Sequence, residues 1–554
     1  MATRRKRKFS NGKIILVIVV VIAIIGTVIF GSNRAQKNNS KILKEPLAAD
    51  INTEDLSQMT DTYSFEVAGN TQQGLLSRTK NGSPKAGLAK SWNHSPNGLT
   101  WTFHLRKNLK WSNGDPLTAN DFVYAWRRTV KPKTASQYAY IYSGIKNADE
   151  INSGKNKDLN SLGIKAPNKN TVVVNLSHPM PQFENLMSFP VFFAQDQKQV
   201  AKWGKSTGTS SKKQVYSGPY KFVGWNGSNK NFKLRPNKHY WDKKAVKNQG
   251  INYQVITDPT ALVSSYRKGN LDRADLTSPE QIKKYHNNKN YRKIKDARTD
   301  YIEYNQNGKV PALKNLKIRQ ALNLATDRKG ISRNVTNNLY TKATSMTPAG
   351  LAKTASGQDF ASAASKETNY HYNISQAKKL FTQGMKEVGQ KKLTLTIEAS
   401  QDAPTSKPTL DAIQQDWEKL PGLNIKEHFV PFKQRLKDDT NHNFQVVLSG
   451  WGADYAEPLT YINMFITNGS NNDGSWSNKT YDNLIKKASA GSDALSDVKR
   501  TNDEIQAEKI LYQKAAINPI DWQNIGQLSN PNAKDFEHFT AGISYYYWMA
   551  KIKK

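Results

Sequence analysis

Apolar and polar positions change period many times along this chain, and each change marks an element. Leu99-Thr100-Trp101-Thr102-Phe103-His104-Leu105 alternates with period two, the pattern of a strand with one buried face. Asn113-Gly114 then predicts a turn. Thr118, with Asp121 three residues on, predicts a helix start whose apolar face carries Phe122, Val123 and Trp126. Further strands are expected over 171–176, 218–222, 232–234, 251–256, 393–397, 444–448 and 545–552. Helices are expected over 260–267, on the face formed by Ile318, Ala321, Leu322 and Ala325, and over 378–388, 410–420 and 505–516. Pro421-Gly422 stops the helix before it. Strands and helices alternate without an internal repeat, which predicts an α/β class with α+β parts.

One apolar run is of another kind. Ile14 to Phe30 is uncharged throughout, and Arg4-Arg5-Lys6-Arg7-Lys8 and Lys13 precede it. It exceeds the ~7–15 residues of a secretory core and reaches the ~17–25 of a spanning helix. Ile29-Phe30-Gly31 is a poor cleavage site. A single transmembrane anchor is therefore expected over 14–32, with a long signal peptide as the alternative. The basic residues of 1–13 predict a cytoplasmic tail, so that everything after Ser32 is outside the cell. The polar stretch 33–48 is expected to be a flexible linker.

Composition narrows the chemistry. The 554 residues suffice for two or three domains. With 37 % hydrophobic and 10 % aromatic residues, the chain can bury a core. It has no cysteine, which excludes thiol nucleophiles, disulfides, zinc–thiolate sites, iron–sulfur clusters and a lipid-modified cysteine. Net charge is +36, and the ten Lys/Arg of residues 1–44, unopposed by any acid, leave +26 for the rest. A field of that sign favours anionic membrane or wall polymer. No helix-turn-helix, zinc-finger or ribonucleoprotein signature is present and the lysines are dispersed, so no nucleic-acid partner is expected.

Candidate chemistry concentrates after the strand at 444–448, in Gly450-Trp451-Gly452-Ala453-Asp454-Tyr455-Ala456-Glu457-Pro458. Strand ends in α/β folds open into ligand crevices. Gly450 and Gly452 let a ligand approach the backbone. Trp451 and Tyr455 offer flat walls, and an enclosed Asp454 would need a cationic partner. Residues alone favour a turn with a solvated Asp454 and two core aromatics over a ligand site. Other motifs lead nowhere. Gly204-Lys205-Ser206-Thr207-Gly208 spells G-x-S-x-G without the strand and helix a nucleophile elbow needs. Gln199 stands where a phosphate loop needs glycine. The nine histidines form no H-E-x-x-H, and nothing else supports Asp454 and Glu457 as a glycosidase pair.

The stretch 450–458 resembles the Gly-Trp-x-Ala-Asp-Tyr-x-(Glu/Asp)-Pro signature of the oligopeptide-binding proteins that feed ATP-driven importers, solute-binding protein family 5. Trp101 to Trp126, Gly218 to Phe222, Asn237 to Trp241, Lys268 to Asp272 and Ile318 to Arg328 resemble other segments of that family, in the same order over about residues 50–554. The missing lipid-bearing cysteine departs from many Gram-positive relatives. The resemblance implies a two-lobed type II periplasmic-binding-protein-like fold with an extra domain. Lobe I would use 49–74, 191–300 and 520–554, the extra domain 75–190, and lobe II 301–519. It implies capture of oligopeptides between the lobes and delivery to the permease subunits of an ABC importer, whose ATPase subunits are separate. No catalysis, cofactor or metal is implied, and a monomer is expected. Asp454 would hold the peptide α-ammonium. Gly450, Trp451 and Gly452 would pair with one side of the peptide, and Thr60, Asp61 and Thr62 with the other. A surface adhesin or a peptide-pheromone receptor on the same scaffold is the alternative.

Overall fold

The computed structural model describes residues 41–553 except 80, 81, 369, 470 and 536. The expected tail and the run Ile14–Phe30 lie outside the described residues. Among those described, no helix is long and apolar enough to cross a membrane.

The first sheet corrects the expected linker. Leu43–Leu47, placed by sequence in the tether 33–48, is an edge strand running parallel to Ile251–Val255. That strand continues antiparallel to Asn231–Pro236 and then Tyr220–Val223. Leu43 and Leu47 are buried in the core, and the buried Glu45 between them meets Arg273 at 2.6 Å. Polar neighbours hide this strand in the sequence, because its strand partner and the Arg273 that meets Glu45 both lie 200 positions or more away.

A second, antiparallel sheet orders Ala89–His94, Thr100–Leu105, Thr171–Asn175 and Ile164–Asn168. Trp101, Phe103 and Leu105 point into its core, as their alternation requires. The helix Ala119–Val130 covers it, with Trp126 fully buried. At its start Asp121 Oδ2 accepts the Thr118 backbone N–H at 2.7 Å.

The third sheet has seven strands, in the order Arg273–Leu276, Ile517–Ser529, Tyr291–Tyr304, Val446–Gly452, Leu393–Ser400, Leu423–Val430, with Thr341–Lys342 beside Ile517–Ser529. Helices Leu316–Ala325, Ile374–Glu387 and Ser406–Trp417 bury Leu322, Phe381 and Trp417 against it. Tyr291–Tyr304 and Ile517–Ser529 are long antiparallel partners whose register shifts between Lys295 and Thr299 and again between Asp300 and Tyr301. The expected lobe boundaries at 300/301 and 519/520 fall inside these two strands.

Two local expectations change. The single strand expected over 545–552 is two short ones, Tyr545–Tyr546 and Lys551–Ile552, with Tyr547 and Trp548 turned into the first core between them. The strand expected over 444–448 is Val446–Gly452, because pairing with Tyr291–Tyr304 carries it through both glycines. Gly204–Ser206 is a short 3-10 turn directly after the helix Gln197–Trp203, without the strand a nucleophile elbow needs.

Candidate functional site

A cavity of about 700 Å³ opens between the first and third sheets. Thr60, Tyr138, Arg273, Asp296, Asp454 and Tyr545 are on its wall, so segments far apart in sequence build it together. Its volume is that of a site for a small extended ligand.

Val446–Gly452 forms part of the rim. On one side Gly450, Trp451 and Gly452 pair with Asp300, Thr299 and Arg298. On the other, pairing with Leu393–Ser400 stops at Ile397–Val446 and Glu398–Val447. Beyond Val447 this edge has no strand beside it among the described residues, leaving backbone donors and acceptors for an added strand. A second cavity of about 330 Å³ lies along this edge, lined by Ser449, Gly450 and Arg435. It shares Arg298 and Gln523 with the large one.

Asp454 follows the strand end. Its backbone N–H donates to Thr460 Oγ1 at 3.2 Å, fixing the turn that carries the carboxylate to the cavity wall. Burial pushes that carboxyl up to about 6, and no neighbouring group offsets it. Tyr138 stands close by: burial first, and the Asp454 charge second, push its hydroxyl up to about 12. Tyr138 packs edge-on against Phe65 with ring centroids 5.3 Å apart. Sequence reasoning missed Tyr138 and Tyr140; the aromatic alternation Tyr138-Ala139-Tyr140-Ile141-Tyr142 was the available signal.

The remaining singled-out residues divide. Gly452, Thr60 and Thr62 line the large cavity, and Gly450 lines the adjoining one. Asp61 caps the helix Thr62–Thr71, accepting the Ser64 backbone N–H at 2.8 Å and its hydroxyl at 2.6 Å. Trp451 and Tyr455 are not on either wall. Trp451 packs with the cluster of Tyr461 and Phe465, and its buried indole N–H has no hydrogen-bond partner among the described residues. Tyr455 packs against the first core. Glu457 is also off the wall. Burial pushes its carboxyl up to about 7, partly offset by Arg500, so Asp454 and Glu457 do not face one space as a catalytic pair must.

Arg273 and Arg298 are the guanidiniums on the large wall. Arg273 is buried between Glu45 at 2.6 Å, Asp275 at 2.8 Å and Glu66 at 3.8 Å, and stacks over the Tyr545 ring at 4.3 Å. Arg298 is freer, 39 % exposed, with Asp300 at 3.5 Å. The wall also carries His538, which burial pushes down to about 4 and keeps neutral.

Comparison with known proteins agrees with this architecture. Residues 83–473 match the family of bacterial extracellular solute-binding proteins, family 5. The chain is 43 % identical over 546 residues to a dipeptide-binding protein of Lactococcus lactis subsp. cremoris, covering 96 % of this chain and 98 % of that one. It superposes on Listeria monocytogenes OppA bound to peptide with a TM-score of 0.76 and 33 % identity, covering 93 % of this chain and 99 % of that one. A structure of the pheromone receptor PrgZ, described with its mode of peptide binding, matches with a TM-score of 0.76 and 30 % identity over 93 % of this chain and all of that one.

Proposed function

The chain belongs to the bacterial extracellular solute-binding proteins of family 5, and from that premise we propose that it captures a short extended peptide between its lobes and delivers it to the membrane subunits of an ABC importer. The observation that carries this reading is the Asp454 carboxylate. It is half-buried, pushed up to about 6 by that burial, and follows a strand whose outer edge is open. A peptide supplies what both features lack: an α-ammonium for the carboxylate and a backbone for the edge. Gly450 to Gly452 would pair with one side of the peptide and Thr60 to Thr62 with the other. Asp61 would contribute only backbone there, since its side chain caps a helix.

The lobes would be 49–74 with 191–300 and 520–554, and 301–519, with 75–190 as the extra domain. Tyr291–Tyr304 and Ile517–Ser529 run through both proposed boundaries, and bending at their register shifts would close the cleft. The function is binding, not catalysis. We place the chain outside the cell, held as a monomer by an anchor over 14–32 and attracted to anionic membrane or wall polymer. The likeness to PrgZ supports a second reading, in which the peptide is a signal.

Mass spectrometry of material released by acid from the purified protein tests the function. Short peptides with free amino termini are expected. Recovery of a non-peptide solute in stoichiometric amount overturns the proposal.

A further inference from the structure

The cavity wall reverses the sign of the whole molecule. The chain has 81 Lys and Arg against 45 Asp and Glu, yet the large cavity is lined by Glu66, Asp275, Asp296 and Asp454 against Arg273 and Arg298, with no lysine. Arg273 is enclosed by Glu45, Glu66 and Asp275, so two of the wall's carboxylates, Glu66 and Asp275, have their ion-pair partner there. Asp454 awaits the α-ammonium. Asp296 is left over.

Asp296 sits on Tyr291–Tyr304 next to Ala297, whose carbonyl accepts the Ala453 backbone N–H at 2.8 Å. Tyr461 donates its hydroxyl to the same carbonyl. After burial, the charges of Asp296, Arg298 and Asp454 all bear on that hydroxyl. The two aspartates are therefore brought to the same part of the cavity by one backbone contact. No ion pair is made by Asp296 among the described residues. Burial pushes its carboxyl up to about 6, against the pull of Arg298 and of the Ala297 backbone. Arg298 cannot serve Asp296 alone. It lies 3.5 Å from Asp300, and Asp521, directly opposite Asp300 in the sheet, has a buried oxygen without a partner among the described residues. One partly exposed guanidinium thus faces three carboxylates.

We propose that Asp296 is a second cation-binding position in the peptide cavity, selecting peptides that carry a lysine or arginine side chain at their first or second residue. The proposal rests on the peptide reading of the cavity and refines it from peptides in general to basic ones. An extended ligand held by its ammonium at Asp454 places its first side chains within reach of the neighbouring strand, where an alkyl stem packs and the charged head meets Asp296. A neutral side chain there covers this half-buried carboxylate and leaves it unpaired, which discriminates against it.

Calorimetry on the purified full chain tests this with Lys-Ala-Ala and Ala-Lys-Ala, each against its norleucine counterpart, which keeps the stem and removes the charge. At least one lysine peptide is expected to bind about tenfold or more tightly than its counterpart, as for a charge pair taken out of water. Asp296→Asn should bring that ratio to about one, and Asp296→Glu should keep a preference for lysine. Equal affinities in the wild type overturn the proposal, and this holds even if the Asn variant does not fold. So does a preference that survives Asp296→Asn, or an equal loss for both members of a pair, which would mean that Asp296 shares the α-ammonium with Asp454. Failure of the peptide reading itself looks different: no peptide binds, or acetylating the α-amine changes nothing, and the proposal falls with it.

Discussion

Asp454 concentrates the physics of the site in one carboxylate. An ordinary aspartic acid titrates near 3.8, whereas burial pushes this one up to about 6. Its folded-state value is raised, so its contribution to stability is present below 3.8 and lost as pH rises through about 6. Peptide binding as proposed should have the opposite sign, because an α-ammonium at Asp454 would need the ionised form. For a peptide without basic side chains, affinity should fall by about tenfold per pH unit below about 6, and Asp454→Asn should flatten that profile. The hydroxyls of Tyr138, Tyr140, Tyr455 and Tyr461 that feel this charge are all raised, so none of them titrates in that window. Two neighbours do: Asp296, raised to about 6 on the same wall, and Glu457, raised to about 7 off the wall beside Arg500. Asp296→Asn and Glu457→Gln separate the three: a profile that moves with either variant would reassign the titration. Deleting one member of a buried charge pair costs about 3–5 kcal/mol, or roughly two to three and a half powers of ten in affinity. Asp454→Ala should lose that much and Asp454→Asn less, since an amide still accepts a hydrogen bond. Acetylating the peptide should penalise the wild type heavily and the Ala variant little, because both changes remove the same contact. Equal affinity of the wild type for both peptide forms would sink the assignment. From sequence, the type of this residue and the apolar strand before it were readable, but its ammonium partner came only through resemblance. The aromatic run at Tyr138 was readable but its place beside Asp454 was not, because a segment 316 positions earlier is brought there by the fold alone.

At the scale of elements, the strand Val446–Gly452 shows where local pattern stops informing. Val446, Val447 and Leu448 announce a strand by themselves, but Gly450-Trp451-Gly452 has neither alternation nor β-branched residues. It is extended because Asp300, Thr299 and Arg298 pair with it. The same limit hid Leu43–Leu47, whose partner is Ile251–Val255, whereas Thr100–Leu105 and Ala119–Val130 were legible because alternation and a capping pair are local signals. The two glycines of the strand are not equivalent. A Cβ at Gly450 would collide with Arg298 Nη2 and Asp300 Oδ1. Arg298 can swing away, but Asp300 is short and holds Gln523 at 2.7 Å. Gly450→Ala should therefore lower stability by about 1–3 kcal/mol, the range of a small overpacking. At Gly452 the nearest atom to an added Cβ is the Ala297 carbonyl oxygen at 3.9 Å, so Gly452→Ala should shift stability by less than about 0.5 kcal/mol. That methyl would occupy the rim where a peptide backbone is proposed to lie, and peptide affinity should drop. Denaturant titrations of both variants and calorimetry on Gly452→Ala check this. Unchanged affinity in Gly452→Ala would move the peptide away from this end of the strand.

At the scale of the whole molecule, the outside and the inside carry opposite charge, and salt can tell them apart. Residues 1–40 hold eight Lys/Arg and no acid, so residues 41–554 keep +28 of the +36. The basic residues are dispersed along the chain, and many of their pairings are exposed, such as Lys230 with Asp50 or Lys407 with Asp411. Exposed pairs of this kind contribute little to stability, and the uncompensated excess creates a long-range positive field. The cavity inverts this, with four carboxylates on its wall against two guanidiniums. Surface attraction between exposed charges is screened over about 10 Å at 0.1 M salt and over only a few ångströms near 0.5 M, whereas a pair enclosed in the cleft is screened far less. Residues 41–554 should therefore bind phosphatidylglycerol vesicles at low salt and release them near 0.5 M, while affinity for a short peptide changes by no more than a few-fold. Vesicle flotation and calorimetry across the same salt series provide the two readouts. Vesicle retention that ignores salt would mean that the surface is held by something other than its charge, and peptide affinity that collapses with the vesicles would place the ligand on the outer surface instead of in the cavity. The anchor is separable in the same material. Sequencing the amino terminus of protein extracted from cell membranes should return the segment before Asn33, and a chain starting at or after Asn33 and recovered from the medium would show that residues 14–32 are a cleaved signal.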